Sequence, residues 1–276
     1  MAGEFAVRVA PAAGPWWARM GTRGRAVLVG VEFVVIFGLW QIGVGVLGLI
    51  SPVFLPPPLS VLDGLGQMAI SGELWSNLAY SSVSYGVGYL LAVTVGVGLG
   101  LLIGSSFPAN KLMGPILWSI YATPFLAYRP LSIVWFGFGL PPIIFIVFMA
   151  SVFPVLFNTA AGVRATEPSL INASRVFGLG RLGRYRKIIL PSTLPYVLTG
   201  MRQSVVMAMI GLLVAEMTGS PTGIGALITI KTGTYRTDEA FAAILVAVVA
   251  TVLLGRLVEF VTARLAPWQA DMTAVA

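Results

Sequence analysis

Residues 141–161 read PPIIFIVFMASVFPVLFNTAA, an uncharged and almost wholly apolar run, and the polar segment 162–194 follows them. An α-helix needs about 20 apolar residues to cross a bilayer core of roughly 30 Å. Proline inside such a run is tolerated in lipid, because neighbouring helices can satisfy the backbone groups that it frees. The stretch therefore predicts a transmembrane helix that ends in a polar loop.

Five further apolar runs lie on either side of this one, near residues 27–50, 78–104, 112–128, 195–218 and 240–262. The composition agrees, since 57% of the 276 residues are hydrophobic and 10% are charged, against about 25% charged residues in soluble domains. We predict an all-α, polytopic membrane protein with six transmembrane helices. Its expected parts are a tail (1–26), a first helix with an external segment (27–76), a helical domain (77–263) and a second tail (264–276).

The external segment contains three consecutive prolines at 56–58, which exclude a helix interior there. The residues after them, 59–69, are weakly amphipathic and predict a short helix that lies on the surface. The first apolar run is too long for a signal peptide and leads into this proline-rich segment, so we expect it to be a retained helix.

Basic residues indicate the orientation of the chain. If the chain crosses six times, all 17 basic residues except Arg129, Lys231 and Arg236 fall on one side. Loops rich in Lys and Arg stay in the cytoplasm, so both termini are expected there. The net charge of +7 is then mainly a topology signal, and we expect no nucleic-acid partner.

Enzyme chemistry has little support in this composition. The chain has no cysteine and no histidine, and only three lysines, which removes thiolate metal sites and the commonest general base. No cluster of nucleophile, base or metal ligands is evident. We therefore expect no catalytic residues, no metal site and no bound cofactor.

The polar segment 162–194 predicts a short exposed helix over residues 166–178. Thr166 is placed to cap it, Pro168 suits its first turn, and Gly178 suits its end. An apolar face at helical spacing would suit docking into a groove of a partner. The residues predicted to share this face are Leu170, Ala173, Ser174 and Phe177.

The same loop resembles the cytoplasmic loop of permeases of ATP-binding cassette (ABC) importers. The matching run is Asn172-Ala173-Ser174, then Gly178, then Ile188 to Pro191, although Asn172 stands in place of the usual glutamate and Ser174 in place of the usual alanine. The resemblance implies that the loop, 164–191, docks onto an ATPase. Together, the apolar face and the resemblance predict that the coupling residues are Leu170, Asn172, Ala173, Ser174, Phe177, Gly178, Leu190 and Pro191.

Further short motifs across residues 50–262 are similar to the nitrate, sulfonate and taurine branch of these permeases. They include residues 55–58, 71–75, 135–139, 153–159, 194–196 and 215–217. The resemblance implies a type I importer with a MetI-like helical core in a bacterial inner membrane. It also implies partners: a cytoplasmic ATPase dimer that carries ATP and magnesium, a second permease copy or a sister permease, and an extracytoplasmic solute-binding protein. The implied solute is a small organic or inorganic anion.

Candidate solute contacts lie at the end of the third apolar run. Tyr121, Phe125 and Tyr128 recur on one predicted helical stripe with Trp118, which either lines a solute path or packs inside the bundle. Arg129 follows directly. It either contacts an anion in the path or extends to the outer headgroups.

Other features have structural interpretations. Gly96, Gly100 and Gly104 recur every four residues and predict close helix packing, with or without a moving gate beside it. Glu216 is expected to accept hydrogen bonds from the turn that follows it, rather than to relay protons. Arg256 and Glu259 are spaced to form an ion pair.

An ion-coupled secondary transporter is the alternative function. It needs coupling-ion chemistry near the bilayer midplane, often at broken helices. The apolar runs hold few titratable groups at that depth, which favours the ATP-driven importer.

Overall fold

The computed structural model describes residues 22–265, so most of the two predicted tails lies outside the described residues. The described residues form two compact units, which divide between Ser60 and Val61. Within the described range the elements are helices and the turns that join them.

In the first unit, helix α1 (Thr22–Trp40) continues as a π-helical turn (Gln41–Val46). Most of its large apolar side chains are exposed, as expected of a helix whose solvent is lipid. The Gln41 side-chain oxygen accepts a hydrogen bond from the Leu59 N–H at 3.1 Å. This bond ties the end of the first helix to the start of helix α2 (Pro58–Ile70), where Pro58 takes the favoured first position.

The second unit is a bundle of long helices with shorter ones at its ends. In chain order they are α3 (Glu73–Ser105), α4 (Phe107–Ala122), a 3₁₀ turn (Phe125–Ala127), α5 (Tyr128–Phe136), α6 (Leu140–Arg164), α7 (Pro168–Val176), α8 (Arg181–Arg184), α9 (Leu190–Met217), α10 (Ile224–Gly233) and α11 (Thr237–Leu265). A π-helical turn (Tyr185–Ile189) joins α8 to α9. Arg181–Met217 is therefore one uninterrupted helix of 37 residues.

Within residues 22–265, five helices are long and apolar enough to cross a membrane: Val27–Val46, Glu73–Ser105, Leu140–Arg164, Arg181–Met217 and Thr237–Arg264. They coincide with five of the six predicted spans. The span predicted over 112–128 differs, because α4 ends at Ala122 and the chain continues as the 3₁₀ turn and α5. Pro124 explains the break: it has no N–H, and it forces Thr123 into an extended conformation (φ −76°, ψ 126°).

The glycine stripe of α3 packs directly on α6, as predicted. A Cβ on Gly100 would lie 2.6 Å from the Thr159 Cβ and 2.7 Å from the Leu156 carbonyl oxygen. A Cβ on Gly96 would lie 2.9 Å from the Val155 Cβ, and one on Gly104 would lie 2.6 Å from the Val163 Cβ. The absence of a side chain at these positions lets the two backbones approach, which is how helices gain packing energy in lipid.

Helix α9 approaches the other side of α6 in the same way. A Cβ on Gly200 would lie 2.9 Å from the Pro154 carbonyl oxygen, and one on Gly211 would lie 2.8 Å from the Ala150 Cβ. Helix α6 is therefore held between two glycine-bearing helices, and over half of its apolar window is buried inside the unit.

The helix predicted over 59–69 is present as α2, but its inner face is buried rather than lying on a surface. Val61 and Met68 pack with Leu227 of α10 and Ala243 of α11. Gly64 lies against the backbone of Asp238 and Glu239 at the start of α11. One end of the bundle is thus closed by α2, α10 and the beginnings of α3 and α11, and α7 and α8 lie at the other end.

Candidate functional site

The predicted docking helix is present as α7, with ends that differ slightly from the prediction. Pro168 opens it and Val176 closes it. Gly178 follows at φ +72°, a conformation that favours glycine at a helix C-terminus. Thr166 does not cap the helix, because it is buried and its hydroxyl donates to the Gly162 carbonyl at 3.5 Å.

The outer surface of this loop carries large apolar side chains. Val176 is 86% exposed and Phe177 is 83% exposed, and Leu170 and Leu182 are exposed as well. Asn172, Ala173 and Gly178 are also exposed. We name this set the α7 surface: Leu170, Asn172, Ala173, Val176, Phe177, Gly178 and Leu182. Helical spacing did not single out Val176 and Leu182, although both are apolar residues in a polar loop.

Ser174 does not belong to the α7 surface, so its assignment to the exposed face was wrong. It is 2% exposed. Its hydroxyl donates to the Ile171 carbonyl at 2.6 Å and accepts from Arg184 Nε at 3.2 Å. Ser174 therefore fastens α7 to α8, and its small size is a packing requirement.

The two remaining coupling candidates, Leu190 and Pro191, begin α9 after the π-helical turn. Both are exposed. They belong to the base of the long helix rather than to α7. Their role in coupling stays a prediction.

A cavity of about 590 Å³ lies between α4, α6 and α9. Its apolar wall is aromatic: Trp118 stacks on Phe157 at a ring-centre distance of 4.4 Å, and Tyr121 lies 5.4 Å from Phe153. Thr123 and Pro124, where α4 is broken, also line it. Irregular backbone at membrane depth is tolerated where it is buried in protein or lines a cavity.

Two of the four candidate pathway residues, Tyr121 and Phe125, line this cavity, and so does Trp118. The continuous stripe predicted for them is wrong, because Phe125 is in the 3₁₀ turn and Tyr128 begins α5. Tyr128 packs against the core formed by α3, α6 and α9 and is not among the lining residues.

Arg129, the fourth candidate, is buried rather than extended towards headgroups. It is 5% exposed, and its Nε donates to the Thr218 hydroxyl at 3.4 Å. Within residues 22–265 its buried Nη1 has no hydrogen-bond partner. The interpretation as a headgroup anchor is therefore wrong, and the anion contact stays a prediction.

Glu216 accepts a hydrogen bond from the backbone that follows α9, as predicted. The Gly225 N–H donates to its Oε2 at 2.9 Å, and the Ser81 hydroxyl lies 2.8 Å from its Oε1. The Ile224 N–H donates in turn to Ser81 Oγ at 2.9 Å. The carboxylate thus lies at the N-terminus of α10, where a negative charge is favourable, and it joins α3, α9 and α10.

A charge cluster at the same end of the bundle was not predicted. Lys231 Nζ lies 2.7 Å from a carboxylate oxygen of Glu73 and 2.7 Å from one of Glu239. Arg236 also pairs with Glu239. Lys231 and Glu239 are both buried, so the cluster is a structural clasp between α3, α10 and α11. Sequence spacing offered a signal only for Arg236 and Glu239.

The predicted pair of Arg256 and Glu259 is present near the end of α11, with its charged atoms 3.4 Å apart and both side chains exposed. Exposed pairs of this kind contribute little to stability.

Comparison with known proteins identifies the family. Residues 92–271 match the model of the binding-protein-dependent transport system inner membrane component. The chain belongs to this family. It is accordingly a multi-pass inner-membrane protein and the permease component of an ABC importer, and such components are not themselves enzymes.

Curated relatives agree with this assignment. The permease is 33% identical to the putative aliphatic sulfonates transport permease of Bacillus subtilis, over 85% of each chain. It is 30% identical to the nitrate import permease of Leptolyngbya laminosa, over 88% of each chain. It is 32% identical to the taurine transport system permease of Escherichia coli, over 83% of this chain and 85% of that one.

A solved structure confirms the fold alone. The permease matches a chain from the crystal structure of an amino acid ABC transporter with histidines, with a TM-score of 0.55 and 22% sequence identity. The match covers 72% of this chain and 97% of that chain. The helical core predicted from the resemblance is therefore present.

Proposed function

We propose that this permease imports a small organic or inorganic anion, and that a separate ATPase dimer drives it by binding the α7 surface. The single observation that supports the coupling role is the exposure of Val176 and Phe177 on a structured polar loop. Removing apolar surface from water is favourable by about 25 cal/mol for each Å² that is buried. A contiguous exposed set of them on an ordered loop indicates a partner.

The charge distribution supports a cytoplasmic position for this loop. Arg175, Arg181, Arg184, Arg186 and Lys187 lie in or beside it without a carboxylate partner among the described ion pairs. At the opposite end, the basic residues of the clasp are paired with acids. An excess of unpaired Lys and Arg on one side is the pattern of the cytoplasmic face.

Family membership supports the assembly that we propose. A second permease, either another copy or a sister chain, would complete the bundle, and an extracytoplasmic binding protein would deliver the solute to the α10 end. ATP and magnesium would reside on the ATPase. The solutes named for the relatives are sulfonates, nitrate and taurine, and they support an anion as the solute class.

Single-cysteine labelling tests the orientation and the docking role, and the chain is suited to it because it has no cysteine of its own. Phe177→Cys should react with a membrane-impermeant maleimide only after intact cells are permeabilised. Tyr235→Cys is the matched control, because Tyr235 is an aromatic residue that is 77% exposed at the opposite end. It should react in intact cells.

Association with the ATPase is measured in the same background. Phe177→Ser combined with Val176→Ser should abolish co-purification of the ATPase with the permease. Tyr235→Ser should leave it unchanged. Labelling of Phe177→Cys from outside, or an ATPase that binds the double variant as strongly as the natural permease, would refute the proposal.

A further inference from the structure

The cavity between α4, α6 and α9 has one side that is formed by two side-chain amides, Asn158 and Gln203. A backbone carbonyl shows which atoms of these amides donate hydrogen bonds and which accept them. Asn158 of α6 donates through Nδ2 to the Pro154 carbonyl at 2.8 Å and to Gln203 Oε1 of α9 at 3.0 Å. A carbonyl can only accept, so it fixes the orientation of the Asn158 amide. Asn158 therefore meets the oxygen of Gln203.

The nitrogen of Gln203 is then left as a donor. Within residues 22–265, Nε2 of Gln203 has no hydrogen-bond partner, and Gln203 is an exposed side chain that lines the cavity. Gly200 allows this arrangement, because a Cβ at that position would lie 2.9 Å from the Pro154 carbonyl oxygen and 3.0 Å from the Asn158 Cβ. The polar side of the cavity thus offers N–H groups.

Among the residues that the structure describes, no charged side chain lines this cavity. An anion bound there would be held by amide hydrogen bonds rather than by an ion pair, which suits transport. Passage requires binding that is favourable enough to admit the solute and weak enough to release it.

The rest of the wall is mainly apolar and aromatic, with the hydroxyl groups of Tyr121 and Thr123 as exceptions. Trp118, Tyr121, Phe153 and Phe157 form a continuous aromatic group in ring contact. A volume of about 590 Å³ falls in the range of pockets that hold organic ligands, about 300–1,000 Å³. A bare inorganic anion would leave most of this space unfilled.

We propose that this cavity binds an organic oxyanion, with the charged head at Gln203 and an apolar body against the aromatic wall. The proposal rests on the proposed function and narrows its solute class, since it favours a sulfonate-type organic anion over an inorganic ion such as nitrate. Gln203 and Asn158 then determine specificity: Gln203 contacts the solute, and Asn158 orients Gln203.

The test uses the full-length permease in lipid nanodiscs and three probes: sodium benzenesulfonate, sodium nitrate and phenyltrimethylammonium chloride. Isothermal titration calorimetry at constant ionic strength should show that benzenesulfonate binds at least about 10-fold more tightly than either other probe, because only it satisfies both the donor and the wall. Aromatic faces alone would attract the quaternary ammonium ion instead.

Variants of Gln203 separate the donor from the wall. Gln203→Met keeps the length of the side chain and removes the donors, and it should weaken benzenesulfonate binding by about 10-fold or more. Gln203→Glu should abolish it. Gln67→Met is the matched control, because Gln67 is exposed on α2 and away from the cavity, and it should change nothing.

The outcomes divide cleanly. Absence of benzenesulfonate binding, equal or tighter binding of nitrate or the ammonium ion, or full affinity in Gln203→Met would overturn this proposal. Association of the ATPase with the α7 surface is measured separately and does not involve Gln203. If the ATPase binds and benzenesulfonate does not, only the solute assignment fails; if the ATPase does not bind, the proposed coupling fails.

Discussion

Replacing Gly100 by alanine should destabilise the permease, although alanine is the better helix former. The added Cβ would lie 2.6 Å from the Thr159 Cβ and 2.7 Å from the Leu156 carbonyl oxygen, and both partners belong to the body of α6 and cannot rotate away. Gly98 on the same helix has nothing within 4 Å of its Cβ position. Gly98→Ala is therefore the matched control.

The comparison of the two variants isolates the packing cost. Each gains the same helix propensity, about 1 kcal/mol for glycine to alanine, so that contribution cancels. What remains is the overpacking penalty, typically about 1–3 kcal/mol. Gly100→Ala should be less stable than Gly98→Ala by that amount.

Unfolding of the purified permease by SDS titration in mixed micelles, followed by circular dichroism, measures this difference. Both variants should insert and purify in similar yield. If Gly100→Ala is as stable as Gly98→Ala, then α3 and α6 do not pack as closely as described, and the reasoning from the glycine seam is wrong.

Two further predictions concern charge. Lys231→Met should destabilise the permease by about 3–5 kcal/mol, because it removes one ion-pair partner of the buried Glu239. Arg256→Met removes one partner of an exposed ion pair and should cost less than about 1 kcal/mol. Equal effects of the two variants in the same SDS titration would contradict the burial of the clasp. Arg129→Ala should raise the half-saturating concentration for uptake of an anionic solute in the assembled transporter, because it removes a buried cation with a free donor. Unchanged uptake kinetics would remove Arg129 from the solute path.

Hydropathy and small-residue spacing predicted most of the fold. Long apolar runs locate five spans because a helix in lipid needs only length and the absence of charge. The spacing of Gly96, Gly100 and Gly104 predicted a close contact correctly, because the stripe alone defines a face. It could not name α6 as the partner, since that choice depends on the complementary shape of the other helix.

The failures of prediction have local physical causes. Pro124 divides the third apolar run because it fixes the conformation of Thr123. Hydropathy carries no information about backbone angles, so it did not predict this break. Ser174 and Thr166 turned inward because their hydroxyls had carbonyl partners close by, a choice that helical spacing does not encode.

Polar pairs between residues far apart in the sequence could not be predicted from spacing. Asn158 and Gln203 are 45 positions apart, and Lys231 and Glu73 are 158 apart. Only the folded bundle brings such side chains together. The contacts between distant residues in the cavity and in the clasp therefore had no signature along the chain.

The uninterrupted helix Arg181–Met217 connects the end of the bundle that carries α7 to the cavity, so a tilt at its base would move the cavity wall. Gln203 lies 22 residues beyond Arg181, which at 1.5 Å a residue is an arm of about 33 Å. Tilting that arm by about 5° at its base would swing Gln203 through roughly 3 Å, about the length of its hydrogen bond to Asn158. A small displacement of the α7 surface, transmitted through this helix, would therefore be enough to break the hydrogen bond between Gln203 and Asn158. Binding of the solute in the cavity would then weaken.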